Sequence, residues 1–131
     1  GRRLLLKVEH IMHAGEAIPQ VNIGTTISRA LLEITAKKLG MTTVADNNNI
    51  ICGVFTDGDL RRILDKGLDI RTTTVSEVMT GTFKTIAGGS LASEAARIMQ
   101  DNEIYSLVVL AQDHSLAGVI TMHDLLKANV V

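Results

Sequence analysis

The chain repeats itself. Gly53-Val54-Phe55-Thr56-Asp57-Gly58-Asp59-Leu60 returns about 65 positions later as Gly118-Val119-Ile120-Thr121-Met122-His123-Asp124-Leu125. Glycine, threonine, aspartate and leucine keep their offsets while the residues between them change. Self-similarity of this kind marks a structural unit repeated along the chain. A unit of about 60 residues buries too little surface to be stable alone, so the copies are expected to complete one another.

Each copy reads through the same order of elements. A short segment ending in methionine, Val8 to Met12 and then Val75 to Met79, opens it. Extended pieces follow at Ile18-Pro19-Gln20-Val21 and Phe83-Lys84-Thr85-Ile86. Pro19 lacks an N–H donor, which predicts a short strand at a sheet edge. Apolar residues then recur at helical spacing: Ile27, Leu31 and Ile34 in one copy, Leu91, Ala95, Ile98 and Met99 in the other. Thr25, Thr26 or Ser28 is expected to cap the first helix, Ser90 with Glu94 the second, and Gly40 to stop the first. Two strands come next, Thr42 to Ala45 with Ile50 to Phe55, and Leu107 to Leu110 with Ala117 to Thr121. The Asn- and Asp-rich turns between them predict hairpins. A last helix closes each copy, from Asp59 with Gly67 as its stop, and from Asp124 to about Ala128. The expected fold class is α/β (α+β): two pseudo-symmetric repeats, each strand-helix-strand-strand-helix, packed sheet to sheet around a pseudo-two-fold axis.

Composition narrows the functional classes. Phe55, Phe83 and Tyr105 are the only aromatics among 131 residues, so the core must be aliphatic. A net charge of -1 leaves no basic footprint, and stacking residues are scarce, which argues against nucleic acid. Cys52 is the single cysteine and reads as an inert core thiol in a reducing compartment. No apolar run approaches the ~20 residues of a membrane span, and no signal peptide is legible, so a cytoplasmic module is expected. The opening Gly1-Arg2-Arg3-Leu4-Leu5-Leu6-Lys7 reads either as the end of a helix from a preceding domain or as a plain amphipathic arm.

The repeated motif also carries the chemistry. Thr56 and Thr121 fall at strand-to-helix junctions, where backbone N–H groups and the helix dipole favour anions. Asp59 and Asp124, three residues on, can accept two hydrogen bonds from a vicinal diol. A hydroxyl for phosphate and a carboxylate for sugar suit a nucleotide; equally, threonine and aspartate are good helix starters. Asp57 sets a second carboxylate at the first junction, opposing a phosphate unless Arg61 and Arg62 answer it. Those arginines read either as phosphate or carboxylate ligands or as a solvated helix face. In the second copy Met122 and His123 occupy the junction, a less hostile entrance for an anion, and His123 reads either as part of that entrance or as a partner for Asp124 alone. The two sites are therefore not expected to be equivalent.

On these residues the chain resembles a pair of CBS repeats (a Bateman module), in which the Gly-x-x-Thr-x-x-Asp segment meets the ribose and phosphate of adenosyl and related nucleotides. Gly1 to Met12, Phe55-Thr-Asp-Gly-Asp-Leu-Arg-Arg62 and Met122-His-Asp-Leu-Leu126 more narrowly resemble the C-terminal regulatory half of bacterial D-arabinose 5-phosphate isomerases. The resemblance implies a linker at 1–7 from a sugar-isomerase domain, repeats at 8–66 and 75–131, and a connector at 67–74. It also implies that Thr56 with Asp59, and Thr121 with Asp124, line nucleotide pockets. Met41, Thr42, Tyr105, Ser106, Ile18, Val21, Lys84 and Thr85 would surround the base. Arg61, Arg62 and His123 complete the expected ligand-binding set.

The implied function is binding of a regulatory nucleotide or nucleotide-sugar, with CMP-Kdo of lipopolysaccharide synthesis as the candidate. Its ribose, phosphate and sugar carboxylate match the aspartate, threonine and arginine groups. An adenine nucleotide is the alternative ligand, and a dimerisation module acting through the CBS helices without ligand is the rival class. The sugar-isomerase domain would carry the active site, so no catalysis is expected of this chain, and no nucleophile–base pair is readable. No cofactor is implied. His10 and His13 lack the spacing of a zinc or EF-hand site, so no metal is expected. The five methionines read as core and pocket filler.

Overall fold

The computed structural model describes residues 5–131, and the expectations placed on residues 1–4 lie outside it. It is a mixed α/β structure with two three-stranded sheets, divided into two compact units.

One unit runs from Ile18 to Phe83. Its sheet has β1 (Gln20–Asn22) parallel to β2 (Met41–Ala45), and β2 antiparallel to β3 (Ile51–Thr56). Strand β1 is a three-residue edge strand that begins just after Pro19, as the missing donor requires. Helix α2 (Ile27–Lys37) links β1 to β2, and α3 (Asp57–Asp65) follows β3. Ile27, Ala30 and Ile34 of α2 pack with Val44, Phe55, Ile63 and Val75 in this unit's core. The hairpin turn is built by Asp46, whose Oδ1 accepts from the amides of Asn48 and Ile50, with Asn49 at φ 62.

The other unit combines residues up to Ala17 with Lys84–Val131. Here β4 (Thr85–Ala87) is parallel to β5 (Ser106–Leu110), which is antiparallel to β6 (Leu116–Thr121). Helix α4 (Ala92–Asn102) precedes β5, α5 (Met122–Lys127) follows β6, and the short α1 (Val8–Ile11) joins from the start of the chain. Its core holds Val8, Ile86, Ala92, Ala95, Met99, Leu107, Val109, Ile120 and Leu125.

The compact units are offset from the sequence copies. The methionine segment that opens the first copy packs on β6, and the one that opens the second packs on β3. Each enters through a pair of backbone hydrogen bonds, between His13 and Val119 at 2.9 and 3.0 Å and between Thr80 and Val54 at 2.9 and 3.0 Å. Val8 and Val75, at the same place in the two copies, are both fully buried.

Several local expectations change. Helix α2 does not run to Gly40. Lys38 already adopts the left-handed conformation (φ 65) and returns its N–H to the Ile34 carbonyl, while Gly40 (φ 72) turns the chain into β2. Thr26 caps α2 as expected, its side chain accepting from the Arg29 amide. Ser90 does not cap α4; Leu91 occupies the N-cap position without a side-chain bond, and the Ala92 amide donates to the Leu6 carbonyl at 2.7 Å. The arriving backbone thus takes the place of a capping side chain. Leu91 is exposed, and the buried stripe of α4 is Ala92, Ala95, Ala96 and Met99. Cys52 is only half-buried, its thiol facing the Val44 carbonyl at 3.5 Å.

Candidate functional site

Both Gly-x-x-Thr-x-x-Asp segments fold identically at a strand-to-helix junction. Thr56 is the N-cap of α3: its Oγ1 accepts from the Asp59 amide at 3.3 Å, and Asp59 Oδ2 accepts from the Thr56 amide at 2.9 Å. Thr121 does the same for α5, with 3.2 Å to the Asp124 amide and 2.8 Å from the Thr121 amide to Asp124 Oδ2. These are reciprocal capping boxes that satisfy donors otherwise orphaned at a helix start. The motif's first task is therefore structural, and one oxygen of each aspartate is committed to it.

The second oxygen of each aspartate faces the methionine segment. In the first unit Asp59 Oδ1 accepts from Thr80 Oγ1 at 3.0 Å and forms an ion pair with Arg62. Asp59 is 3% exposed. In the second unit Asp124 Oδ1 meets His13 Nε2 at 2.8 Å. Thr80 and His13 each follow a methionine that lies over the motif glycine, Met79 over Gly53 and Met12 over Gly118. Glycine is required there because strap and sheet approach so closely. Sequence reasoning did not assign Thr80 or His13 to the site. Their signal is the recurrence of Met12-His13 as Met79-Thr80 ahead of each copy.

Other expected residues are distributed as follows. Met41 lies across the ladder from Thr56, and Ser106 across from Thr121, so each motif has a neighbour on the adjoining strand. Thr42, opposite Phe55, is fully buried and donates to the Thr43 carbonyl. Lys84 and Thr85 are exposed, and Thr85 lies on β4, a strand removed from Thr121. Tyr105 is also exposed, and its carbonyl accepts from the Met122 amide at 2.9 Å. Ile18 and Val21 are half-buried.

Two pairings differ from expectation. Arg62 answers Asp59, three residues before it on the same helix, while Arg61 and Asp57 are exposed. Asp124 bonds His13, and His123, in the first turn of α5, is exposed.

Beside Asp59 a cavity of about 210 Å³ opens between α3 and the Val75–Glu77 turn. Arg62 and Lys66, with the Asp59 and Glu77 carboxylates, supply its charge, and Ile63, Leu68, Val78 and Met79 its apolar walls. The Glu77 carboxyl is held below its usual range, first by the Thr74 amide and then by the Thr74 hydroxyl. Among the described residues no three His, Cys, Asp or Glu side chains gather as a metal site, and no helix is long and apolar enough to cross a membrane.

The family model described as CBS domain matches residues 8–66 and 75–130. Arabinose 5-phosphate isomerase KdsD of Pseudomonas aeruginosa is 53% identical over 131 residues, and that of Escherichia coli (strain K12) is 50% identical. The match takes in 100% of this chain but 40% of each of those proteins. Among solved structures, CBSX2 in complex with AMP superposes with a TM-score of 0.78 at 23% identity, covering 95% of this chain and 96% of its own. The CBS domain pair of protein MJ0100, in complex with 5′-methylthioadenosine and S-adenosyl-L-methionine, gives 0.82 at 17% identity, with 94% of both chains covered. At these identities the likeness concerns the fold.

Proposed function

We propose, from the premise that this chain belongs to the CBS domain family and carries two of its repeats, that it is a regulatory module binding a nucleotide or nucleotide-sugar. The enzyme it would regulate is an arabinose 5-phosphate isomerase, whose catalytic domain would precede residues 1–7. The repeats would run over 8–66 and 75–131, joined by 67–74, in a cytoplasmic homodimer. CMP-Kdo is the candidate ligand.

The observation that carries this reading is the twofold recurrence of one threonine–aspartate pair at one kind of junction. Each pair has a strand neighbour, Met41 or Ser106, and Asp59 borders a cavity carrying two cationic side chains. Arg62 and Lys66, set beside Glu77, offer partners for an anionic group and the apolar walls a surface for a base, while a sugar hydroxyl would have to share Asp59 Oδ1 with Thr80 and Arg62. The strong identity to KdsD supports the isomerase context, since the match runs through every residue of this chain. The nucleosides and nucleotide held by MJ0100 and CBSX2 support an adenine nucleotide as the alternative ligand.

Exposed leucines favour the rival role in assembly. Leu64 of α3 is 57% exposed and Leu126 of α5 is 53% exposed, leaving apolar surface for a subunit contact. Thermal-shift titration with AMP, ATP, CMP and CMP-Kdo separates the readings. A ligand of the native state raises the melting temperature by an amount that grows with the logarithm of its concentration above Kd. Because Asp59→Ala and Asp124→Ala also remove a helix cap, the readout is the ligand-dependent increment over each variant's own baseline. No increment with any nucleotide, alongside a dimer that persists on dilution, supports assembly alone.

A further inference from the structure

Asp124 differs from Asp59 in how its second oxygen is held. Asp59 Oδ1 has two partners, the Thr80 hydroxyl and the Arg62 guanidinium. Asp124 Oδ1 has one described partner, His13 Nε2 at 2.8 Å. Lys127 stands where Arg62 does, three residues after the aspartate, yet makes no ion pair with Asp124 among the described residues.

His13 is also the residue by which the opening segment is attached to β6. Its amide donates to the Val119 carbonyl at 2.9 Å, and its carbonyl accepts from the Val119 amide at 3.0 Å. Its neighbour Met12 lies on Gly118. His13 therefore fastens the end of the segment to β6 through its backbone and to the motif carboxylate through its ring, while the start of the segment is held separately by the buried Val8 side chain and by the Val8 and Glu9 amides on the Ser90 and Gly88 carbonyls. With side-chain exposures of 35% for His13 and 10% for Asp124, a solute can reach the histidine face of the contact.

We propose that Asp124 is the shared acceptor of a strap: Oδ1 bonds either His13 or the hydroxyls of a bound polyhydroxy ligand, and the exchange loosens the Met12–His13 end of the segment from β6. This rests on the reading that the second motif takes such a ligand. It adds that occupancy is opposed by a residue of the chain itself and is transmitted to the segment leading toward residues 1–7. The first copy lacks the exchange, because its aspartate would have to leave a guanidinium and a hydroxyl together. A ligand binding only the released state has its affinity reduced by the fraction of protein in that state.

The test uses this chain, with calorimetric titration of CMP-Kdo, CMP, AMP and ATP into wild type, His13→Ala and His13→Gln. A probe that binds wild type should bind His13→Ala roughly tenfold more tightly, since a hydrogen bond to a charged acceptor no longer competes. Gln, whose side-chain amide can donate to Asp124, should restore wild-type affinity. In wild type the same probe should speed hydrogen exchange at the His13 and Val119 amides, a readout independent of whether the alanine variant folds. Equal affinity across the three proteins, or unchanged exchange at those amides in the bound state, overturns the strap while leaving the ligand reading in place. If no probe binds wild type or His13→Ala, both fall together.

Discussion

The sulfur of Met79 lies 2.5 Å from where a β-carbon on Gly53 would stand. The same relationship holds between Met12 and Gly118 at 2.7 Å, where the His13 carbonyl oxygen is closer still at 2.5 Å. Both glycines are therefore places where a strap of chain lies directly on a strand, and the first residue of each motif is explained by packing.

Alanine at these glycines should be costly, and unequally so. Gly118→Ala collides with backbone, which cannot swing aside, and should lose about 3 kcal/mol, the upper range for overpacking. Gly53→Ala meets mainly a methionine side chain, with the Thr80 carbonyl at 3.1 Å, and should lose about 1–2 kcal/mol. Urea denaturation of both variants measures the difference. A Gly53→Ala, Met79→Ala double variant should be less destabilised than the sum of its parts.

The capping aspartates should matter to stability apart from any ligand. Asp59→Ala removes the acceptor for the Thr56 amide and the Thr80 hydroxyl, which predicts a loss of about 2–3 kcal/mol. Asp124→Ala, with fewer partners, should lose about 1–2 kcal/mol. Arg62 contributes less than either, because its side chain is 67% exposed and solvent screens its pairing. Arg62→Ala should cost under about 1 kcal/mol. Denaturant midpoints of the three variants, taken without ligand, check the order.

Glu77 should titrate below an ordinary glutamate. Its carboxylate accepts from the Thr74 amide at 2.8 Å and from the Thr74 hydroxyl at 3.0 Å, and both contacts favour the charged form. A carboxyl whose folded value is depressed adds stability above its unfolded value, and that stability disappears as pH falls through the folded value. Thr74→Ala removes only the hydroxyl, so the value should move part of the way back up. NMR titration of the Glu77 carboxyl carbon in both proteins reads this directly.

Lys38 sits at φ 65 at the end of α2, a conformation that L-residues adopt at some cost. Lys38→Gly should stabilise the fold by about 0.5–1 kcal/mol, the relief of that strain less the extra freedom glycine gives the unfolded chain. A rise in melting temperature is the expected result.

Much of the site was legible because it is local. Thr56 with Asp59, and Thr121 with Asp124, lie within one helical turn, so spacing alone identifies them. The hairpins were legible for a similar reason, since Asp46 and Asp113 bond backbone two residues away. Ser90 misled because a capping side chain and an arriving carbonyl satisfy the same donor, and only the position of Leu6 decides between them. His123 misled because adjacency in sequence says nothing about direction at a helix start, whereas His13, 111 residues from Asp124, is brought to it by the strand bridge to Val119.

By itself the sequence determined the duplication, the order of elements in each copy and the residues of the repeated motif, because periodicity and short-range hydrogen bonding are properties of neighbouring residues. Only the tertiary structure decided which sheet each opening segment joins, and so which side chain holds each aspartate. Those contacts close loops of dozens of residues. Their partners are chosen by buried surface and backbone pairing, which no local pattern records.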